Sequence, residues 1–428
     1  TRYESGGTLP NQGCFMKPTL VTDVSPAHTL VSEEIFGPVL VAMSFRTPDE
    51  AVELANNTKY GLAATIWSEN INLALDIAPR IKAGVVWINC TNQLDAAAGF
   101  GGYKESGFGR EGGAEGMAAY LKPTFEKTLK STPPVRPVKS VDLRDTHSVD
   151  RTAKMYIGGR QARGDSGYAR QVFAPDGSSL GEISEGNRKD IRNAVEAARK
   201  ALGWGSKTAH LRAQILYFLA ENLDYRRDEF ADRIRSMTGT TGPAAKREVA
   251  LCVERLFAFA GWADKYDGAV HNVPMRAIAT AMVEPIGVIG IAAPNENPLL
   301  ASVSMLAPAI AMGNTVVLVP SQNHPLSMTD FYQVIETSDV PAGVVNIVTG
   351  DSLSLSKTLA EHDGVDAMWF AGSTEGAAMV EKASIGNLKQ TWTTKGKAFD
   401  WTDKQVMEGK YFLERATQVK NIWIPYGA

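Results

Sequence analysis

The chain has 428 residues, 44% of them apolar and 21% charged, with 44 lysines and arginines against 47 acidic residues for a net charge of −3. That composition is globular, long enough for two or three domains with cores of their own, and it excludes collagenous, disordered and disulfide-stapled chains. Basic residues are scattered rather than massed, and the longest apolar run, Ile286 to Pro294, is about half of the ~20 residues that span a bilayer, so neither nucleic acid nor membrane is an expected partner.

Thr47-Pro48 opens a helix, with Thr47 as N-cap, Pro48 at the first helical position and Ala51, Leu54 and Ala55 at helical spacing. Ala63 to Trp67 reads as a strand, Ile71 to Ile81 as a helix and Gly84 to Asn89 as a buried strand. From Ser131 to Thr152, Pro133, Pro134 and Pro137 alternate with charges and no period is visible, which predicts a linker. Beyond it, Asn187 caps a helix with the stripe Ile191, Ala194, Val195, Ala198 and Leu202. A second helix runs from Leu211 to Leu223 with Leu211, Ile215, Phe218 and Leu219 inward. A third carries Val249, Val253, Leu256 and Phe257. Short apolar runs separated by helices follow, including Thr315 to Val319, Val344 to Val348 and Ala367 to Phe370. They predict a parallel, doubly wound sheet with a nucleotide site at the carboxyl ends of its strands.

Cys14, Cys90 and Cys252 are odd in number and widely spaced, and the six histidines are dispersed. Neither a disulfide framework nor a metal site is expected, and a reducing, cytoplasmic compartment is the simplest reading.

Three motifs go further. Glu33-Glu34-Ile35-Phe36-Gly37-Pro38, Asn57-Thr58-Lys59-Tyr60-Gly61-Leu62 and Phe100-Gly101-Gly102-Tyr103-Lys104-Glu105-Ser106-Gly107 closely resemble the second half of the catalytic domain of NAD(P)-dependent aldehyde dehydrogenases. After the linker, Glu284-Pro285-Ile286-Gly287-Val288-Ile289-Gly290 and Gly372-Ser373-Thr374-Glu375 resemble that family's dinucleotide-binding domain. A back half followed by a degenerate front half is similar to the two-unit, family-sixteen aldehyde dehydrogenases. The implied fold is α/β and aldehyde dehydrogenase-like: a partial catalytic domain at 1–122, an oligomerisation strand and linker at 123–153, a degenerate unit with a Rossmann-type domain at 154–400 and a closing oligomerisation tail at 401–428.

The resemblance implies oxidation of an aldehyde to an acid through a cysteine thiohemiacetal and hydride transfer to NAD. In the family the nucleophilic cysteine and the general-base glutamate lie upstream of the Glu-Ile-Phe-Gly-Pro motif. Cys14 and Cys90 match non-catalytic positions, so no catalytic residue is expected in this chain. The chain is expected to be the carboxyl-terminal part of a longer enzyme whose missing front binds most of the NAD. By resemblance, Glu34 accepts hydrogen bonds from the nicotinamide ribose and Phe36 packs near the ring. Leu94 and Phe100 fall at aromatic positions of the aldehyde tunnel, with core packing the alternative for both. In the second unit Glu296 stands at the oxyanion-stabilising asparagine, Val319 at the ribose-binding lysine, Gln322 at its acidic partner and Thr393 at the base. Gly372 and Ser373 keep the phosphate-type turn.

Tyr120 to Lys127 is echoed by Phe412 to Lys420, and both resemble the family's closing strand. The tail Tyr411 to Pro425 is expected to join the first block's sheet, leaving Thr124 to Lys130 to recruit a second chain into a homodimer. A non-catalytic scaffold or assembly module is the alternative reading.

Overall fold

The computed structural model describes residues 1–132, 141–142 and 151–427, without the side chains of 141 and 142. It divides into two compact units. The first comprises Thr1–Tyr120, Ala269–Met282 and Lys420–Ala428; the second comprises Leu121–Gly268 and Val283–Val419.

The second unit is built on a seven-stranded sheet: β1 (Met155–Ile157), β2 (Arg160–Ala162), β3 (Val288–Ala292), β4 (Thr315–Val319), β5 (Val345–Ile347), β6 (Ala367–Phe370) and β7 (Gln390–Thr393), in the order β2-β1-β5-β4-β3-β6-β7. From β5 to β7 every pairing is parallel, and the β1–β2 hairpin adds one antiparallel edge. Both faces are covered. Ile289, Ile291, Val316 and Leu318 point into one core with α2 (Ala209–Tyr225), α3 (Arg227–Thr238), α4 (Gly242–Trp262) and α5 (Pro298–Ala311). Val288, Ala292, Val317 and Val319 point into the other, with α1 (Arg188–Lys200), α6 (Ser352–Glu361) and α7 (Thr374–Ala383). Burial on both sides is why these strands read as unbroken apolar runs. The winding reverses between β3 and β6, which puts the ligand crevice of such folds beyond Ala292 and Phe370.

The amphipathic helices form where the spacing predicts. Asn187 caps α1 in a reciprocal box with Asp190, and Ile191, Ala194, Val195 and Ala198 are buried. On α2, Ile215 and Leu219 are buried, but Leu211 and Phe218 face solvent, as does Phe257 on α4. The inward stripe of α2 is instead Ala213, Leu216, Ala220 and Leu223 with those two.

Two expectations are corrected. Thr124 to Lys130 is not a strand. Thr124–Thr128 is a 3₁₀ turn, and only Lys130–Ser131 extends, pairing with Lys397–Ala398. Pro123 precedes the turn, and Phe125 is drawn into an aromatic cluster, 5.6 Å from Phe399 and 5.2 Å from Tyr411. The 131–152 linker lies mostly outside the described residues, yet Val141–Asp142 within it is a strand against Tyr168–Ala169.

In the first unit Thr47 caps the helix Pro48–Asn56, and Ala63–Ile66 and Val85–Ile88 form parallel strands. The helix after Ile71 ends at Ile77 and passes into a 3₁₀ turn at Ala78–Arg80, where Pro79 lacks the amide that an α-helix needs. A five-stranded sheet runs in the order Ala269–His271, Ala277–Pro285, Thr417–Pro425, Val85–Ile88, Ala63–Ile66. Asn421, Ile422 and Trp423 lie opposite Val85, Val86 and Trp87. The tail thus joins this sheet with neighbours on both sides.

Candidate active site

The three motifs of the first unit meet in one place. Tyr60–Gly61 pairs antiparallel with Tyr103–Lys104, and the Lys104 ammonium donates to the carbonyls of Asn56 and Thr58, both at 2.8 Å. Lys59 bridges Glu33 at 3.0 Å and Glu105 at 3.9 Å. The glycines serve this packing: a Cβ on Gly84 would lie 1.9 Å from the Gly101 carbonyl oxygen, and one on Gly61 2.3 Å from that of Lys82.

Glu34 is exposed, with no hydrogen-bond or ion-pair partner among the described residues. Phe36 sits beside it at φ 51° with 93% of its surface open to solvent. A left-handed backbone at a bulky aromatic is costly, on the order of 1–3 kcal/mol, and such strain gathers at ligand sites. Leu94 is exposed. Phe100 is half-buried on the core of Val85, Trp87 and Trp423 and exchanges backbone hydrogen bonds with Glu111 at 2.8 Å each way. No hydrogen bond, ion pair or ring contact among the described residues joins Glu34 or Phe36 to Leu94 or Phe100. Cys14 is exposed in a loop, burial pushes the Cys90 thiol up, and complete burial beside Glu248 pushes Cys252 well above the ordinary value.

In the second unit several polar groups at the carboxyl ends of β3, β4 and β6 bond to one another. Asn295 Oδ1 accepts from the Ser321 hydroxyl at 2.8 Å and from the Asn323 amide at 3.1 Å. Val319 is fully buried in the core beside α1 and α6. Gln322 is not free: its Oε1 accepts from the Ser352 amide at 2.8 Å, at the start of α6. The Gly372 amide donates to Thr394 Oγ1 at 3.2 Å, and the Ser373 hydroxyl caps α7 through the Gly376 amide at 3.1 Å. The Phe370 ring fills the space above this turn, since a Cβ on Gly372 or Gly376 would come within 2.5 Å of its Cζ. Thr393 donates to Glu381 at 2.8 Å. Glu296 is half-buried beside Asn297, whose φ is 46°.

Two polar residues of this unit escaped sequence reasoning. Glu248, inside α4, accepts from the amides of Leu299 at 3.1 Å and Leu300 at 3.2 Å and so caps α5 from another helix, while burial pushes its carboxyl up. Arg255, one heptad later, is wholly buried and donates to the Ser304 hydroxyl and the Trp401 carbonyl. The signal was present: two charges seven residues apart within an apolar stripe.

A parallel sheet with a reversal of winding defines a doubly wound α/β protein. Residues 2–125 and 163–397 match the model of the aldehyde dehydrogenase family, most of the chain, and the chain belongs to that family. It is 46% identical over 122 residues to aldehyde dehydrogenase 1 of Tanacetum cinerariifolium, covering 28% of this chain and 24% of that protein. It is 30% identical over 298 residues to human cytosolic 10-formyltetrahydrofolate dehydrogenase, covering 64% of this chain and 33% of that one. The betaine aldehyde dehydrogenase of Staphylococcus aureus, solved in complex with NAD+, superposes with a TM-score of 0.55 at 26% identity, over 56% of this chain and 49% of that one. The chain thus spans only about a quarter to a half of the length of such relatives. The fold is aldehyde dehydrogenase-like. Among the described residues no helix is long and apolar enough to cross a membrane.

Proposed function

We propose that this chain is the carboxyl-terminal portion of a cytoplasmic, NAD-dependent aldehyde dehydrogenase, and that its second unit is structural rather than catalytic. The observation that carries the reading is the convergence of the three motifs through Lys59 and Lys104, with Glu34 unpaired at their edge. The first unit fits the cofactor. Glu34 has both carboxylate oxygens available for ribose hydroxyls, and Phe36 offers an open ring face. NAD, when bound, supplies the hydride acceptor. This chain's contribution is to orient the ribose, wall one side of the site and shape the aldehyde pocket with Leu94 and Phe100.

The second unit fits the cofactor poorly. The ribose-binding positions are taken by a core valine and by a glutamine that caps a helix, and the turn amide of Gly372 is already bonded. Those contacts also support the scaffold reading for this half. Homodimer formation belongs to the same proposal, through a surface other than Thr124 to Lys130.

The chain mixed with NAD and a simple aldehyde should form no NADH, read at the reduced nicotinamide's absorbance. Activity should return when the amino-terminal half of a homologous catalytic domain is co-expressed with it. Turnover by the chain alone would overturn the assignment of all three cysteines as non-catalytic.

A further inference from the structure

In the first unit the segment from Glu33 to Pro38, which carries Glu34 and Phe36, is tied by its backbone only at the two ends. The Glu33 amide donates to the Thr29 carbonyl at 2.9 Å, and the Pro38 carbonyl accepts from the Thr19 amide at 2.8 Å. All six residues are exposed, and Phe36 holds φ at 51°, which a bulky side chain keeps only under restraint. Among the described residues one side-chain bond from elsewhere supplies that restraint: the Lys59 ammonium on the Glu33 carboxylate, at 3.0 Å. Lys59 is itself anchored. Its carbonyl accepts from the Glu105 amide at 2.9 Å, Tyr60 beside it pairs with Lys104, and the Glu105 carboxylate stands 3.9 Å from the same ammonium.

We propose that Lys59 is the positioning residue of this loop: by holding Glu33 it fixes the backbone one residue ahead of Glu34 and so presents the Glu34 carboxylate to the cofactor ribose. The inference rests on the cofactor reading of Glu34 given above and adds a residue to it. The two consecutive carboxylates have separate tasks. Glu33 takes the protein's own cation, and Glu34 is left to the ligand. The hydrogen bond to Glu33 raises the proton affinity of the Lys59 ammonium, so the clasp stays charged at any pH near neutral.

A pair as exposed as this one shifts a local equilibrium by roughly two- to fivefold, and salt screens it. Lys59 therefore tunes how often the loop presents Glu34 and leaves the stability of the unit unchanged.

On the full chain, a glutamate-specific protease should cut the Glu34–Ile35 bond roughly two- to fivefold faster in Lys59→Met than in the wild type, with an unchanged melting temperature. Lys59→Arg should be cut at the wild-type rate, and about 1 M salt should erase the difference between wild type and Lys59→Met. Lys59→Glu, which sets a third carboxylate beside two others, should be cut faster still, and adding Glu33→Lys should slow it again. In the enzyme formed by co-expression with the amino-terminal half of a homologous catalytic domain, Lys59→Met should raise the KM for NAD by a similar factor and leave the KM for aldehyde unchanged. In a Glu34→Gln background it should add nothing. Equal cutting of wild type and Lys59→Met, or a KM for NAD that Glu34→Gln raises and Lys59→Met does not, would overturn the positioning role and leave the cofactor reading standing. A KM for NAD unmoved by Glu34→Gln would overturn the cofactor reading itself, and this inference with it.

Discussion

Arg255 is the most demanding residue of the molecule, a guanidinium with no solvent contact held by one hydroxyl, one carbonyl and Glu408 at 3.6 Å. Burial lowers its affinity for the proton, and the nearby carboxylate offsets part of that. Truncating one partner of such a pair leaves the other buried and uncompensated. Arg255→Ala should therefore cost about 3–5 kcal/mol in urea unfolding, and Arg255→Met much less. Lys389 makes a different kind of statement. Its ammonium donates to the Ala360 carbonyl and to Asn387 Oδ1, both at 2.6 Å, and burial pulls its pKa from 10.5 down to about 8. Below pH 8 both folded and unfolded chains carry the charge, and the burial cost is fully present. Between pH 8 and 10 the unfolded state binds more protons, so stability rises with pH. The urea midpoint should increase from about pH 7 to about pH 9.5 in the wild type, relative to Lys389→Met, and parallel profiles would refute the assignment. Arg255 was legible only through its place in an apolar stripe seven residues after Glu248, and Lys389 was not legible as special from its neighbours. Lys389 becomes buried because the chain at Ala360, 29 residues earlier, closes over it.

Among the elements, what the sequence made plain was whatever is decided locally. Asn187 and Asp190 sit three residues apart ahead of an apolar stripe, and the capping box forms. Asn187→Ala should cost about 1 kcal/mol in thermal unfolding, since it unbonds the amides of Lys189 and Asp190. The failures are non-local. Leu211 and Phe218 lie at the margin of the buried arc, next to Ile215 on the helical wheel, and hydrophobicity alone assigned them inward. Thr124 to Lys130 repeats the composition of the closing strand, but a segment becomes a strand only beside an open edge, and Phe125 is held instead by Phe399 and Tyr411. That cluster also contains Trp392, Trp401 and Phe412, the last two nearly coplanar at 16°. Trp401 is buried against Phe399 and Phe412, and Trp401→Ala should cost about 3–5 kcal/mol, with the loss read by urea denaturation.

Over the whole molecule the two units differ in finish. Among the described residues, the smaller first unit carries about two thirds of the large apolar side chains that face solvent, among them Phe15, Phe36, Phe45 and Trp67. Where such side chains adjoin, they mark a site of association. A solvent-sensitive hydrophobic dye should bind the chain strongly, and co-expression with the amino-terminal half of a catalytic domain should quench that binding. Dye uptake that is weak from the start would count against an incomplete catalytic unit. The wall of the candidate site was legible because its three motifs are contiguous in sequence. How they meet was not, since it depends on Lys59 and Lys104 reaching across turns.

The position of the tail has a consequence for how the protein is made. Asn421 donates to the Gly99 carbonyl, 322 residues earlier, and its strand lies between Ala277–Pro285 and Val85–Ile88. During synthesis the first unit's sheet must wait, with a central slot empty, until the strand Thr417–Pro425 is made. The second unit needs nothing beyond Val419 and can mature first. The chain is thus expected to fold against its own direction of translation, and a nascent chain stalled short of residue 420 should protect the second unit from protease while leaving the first open.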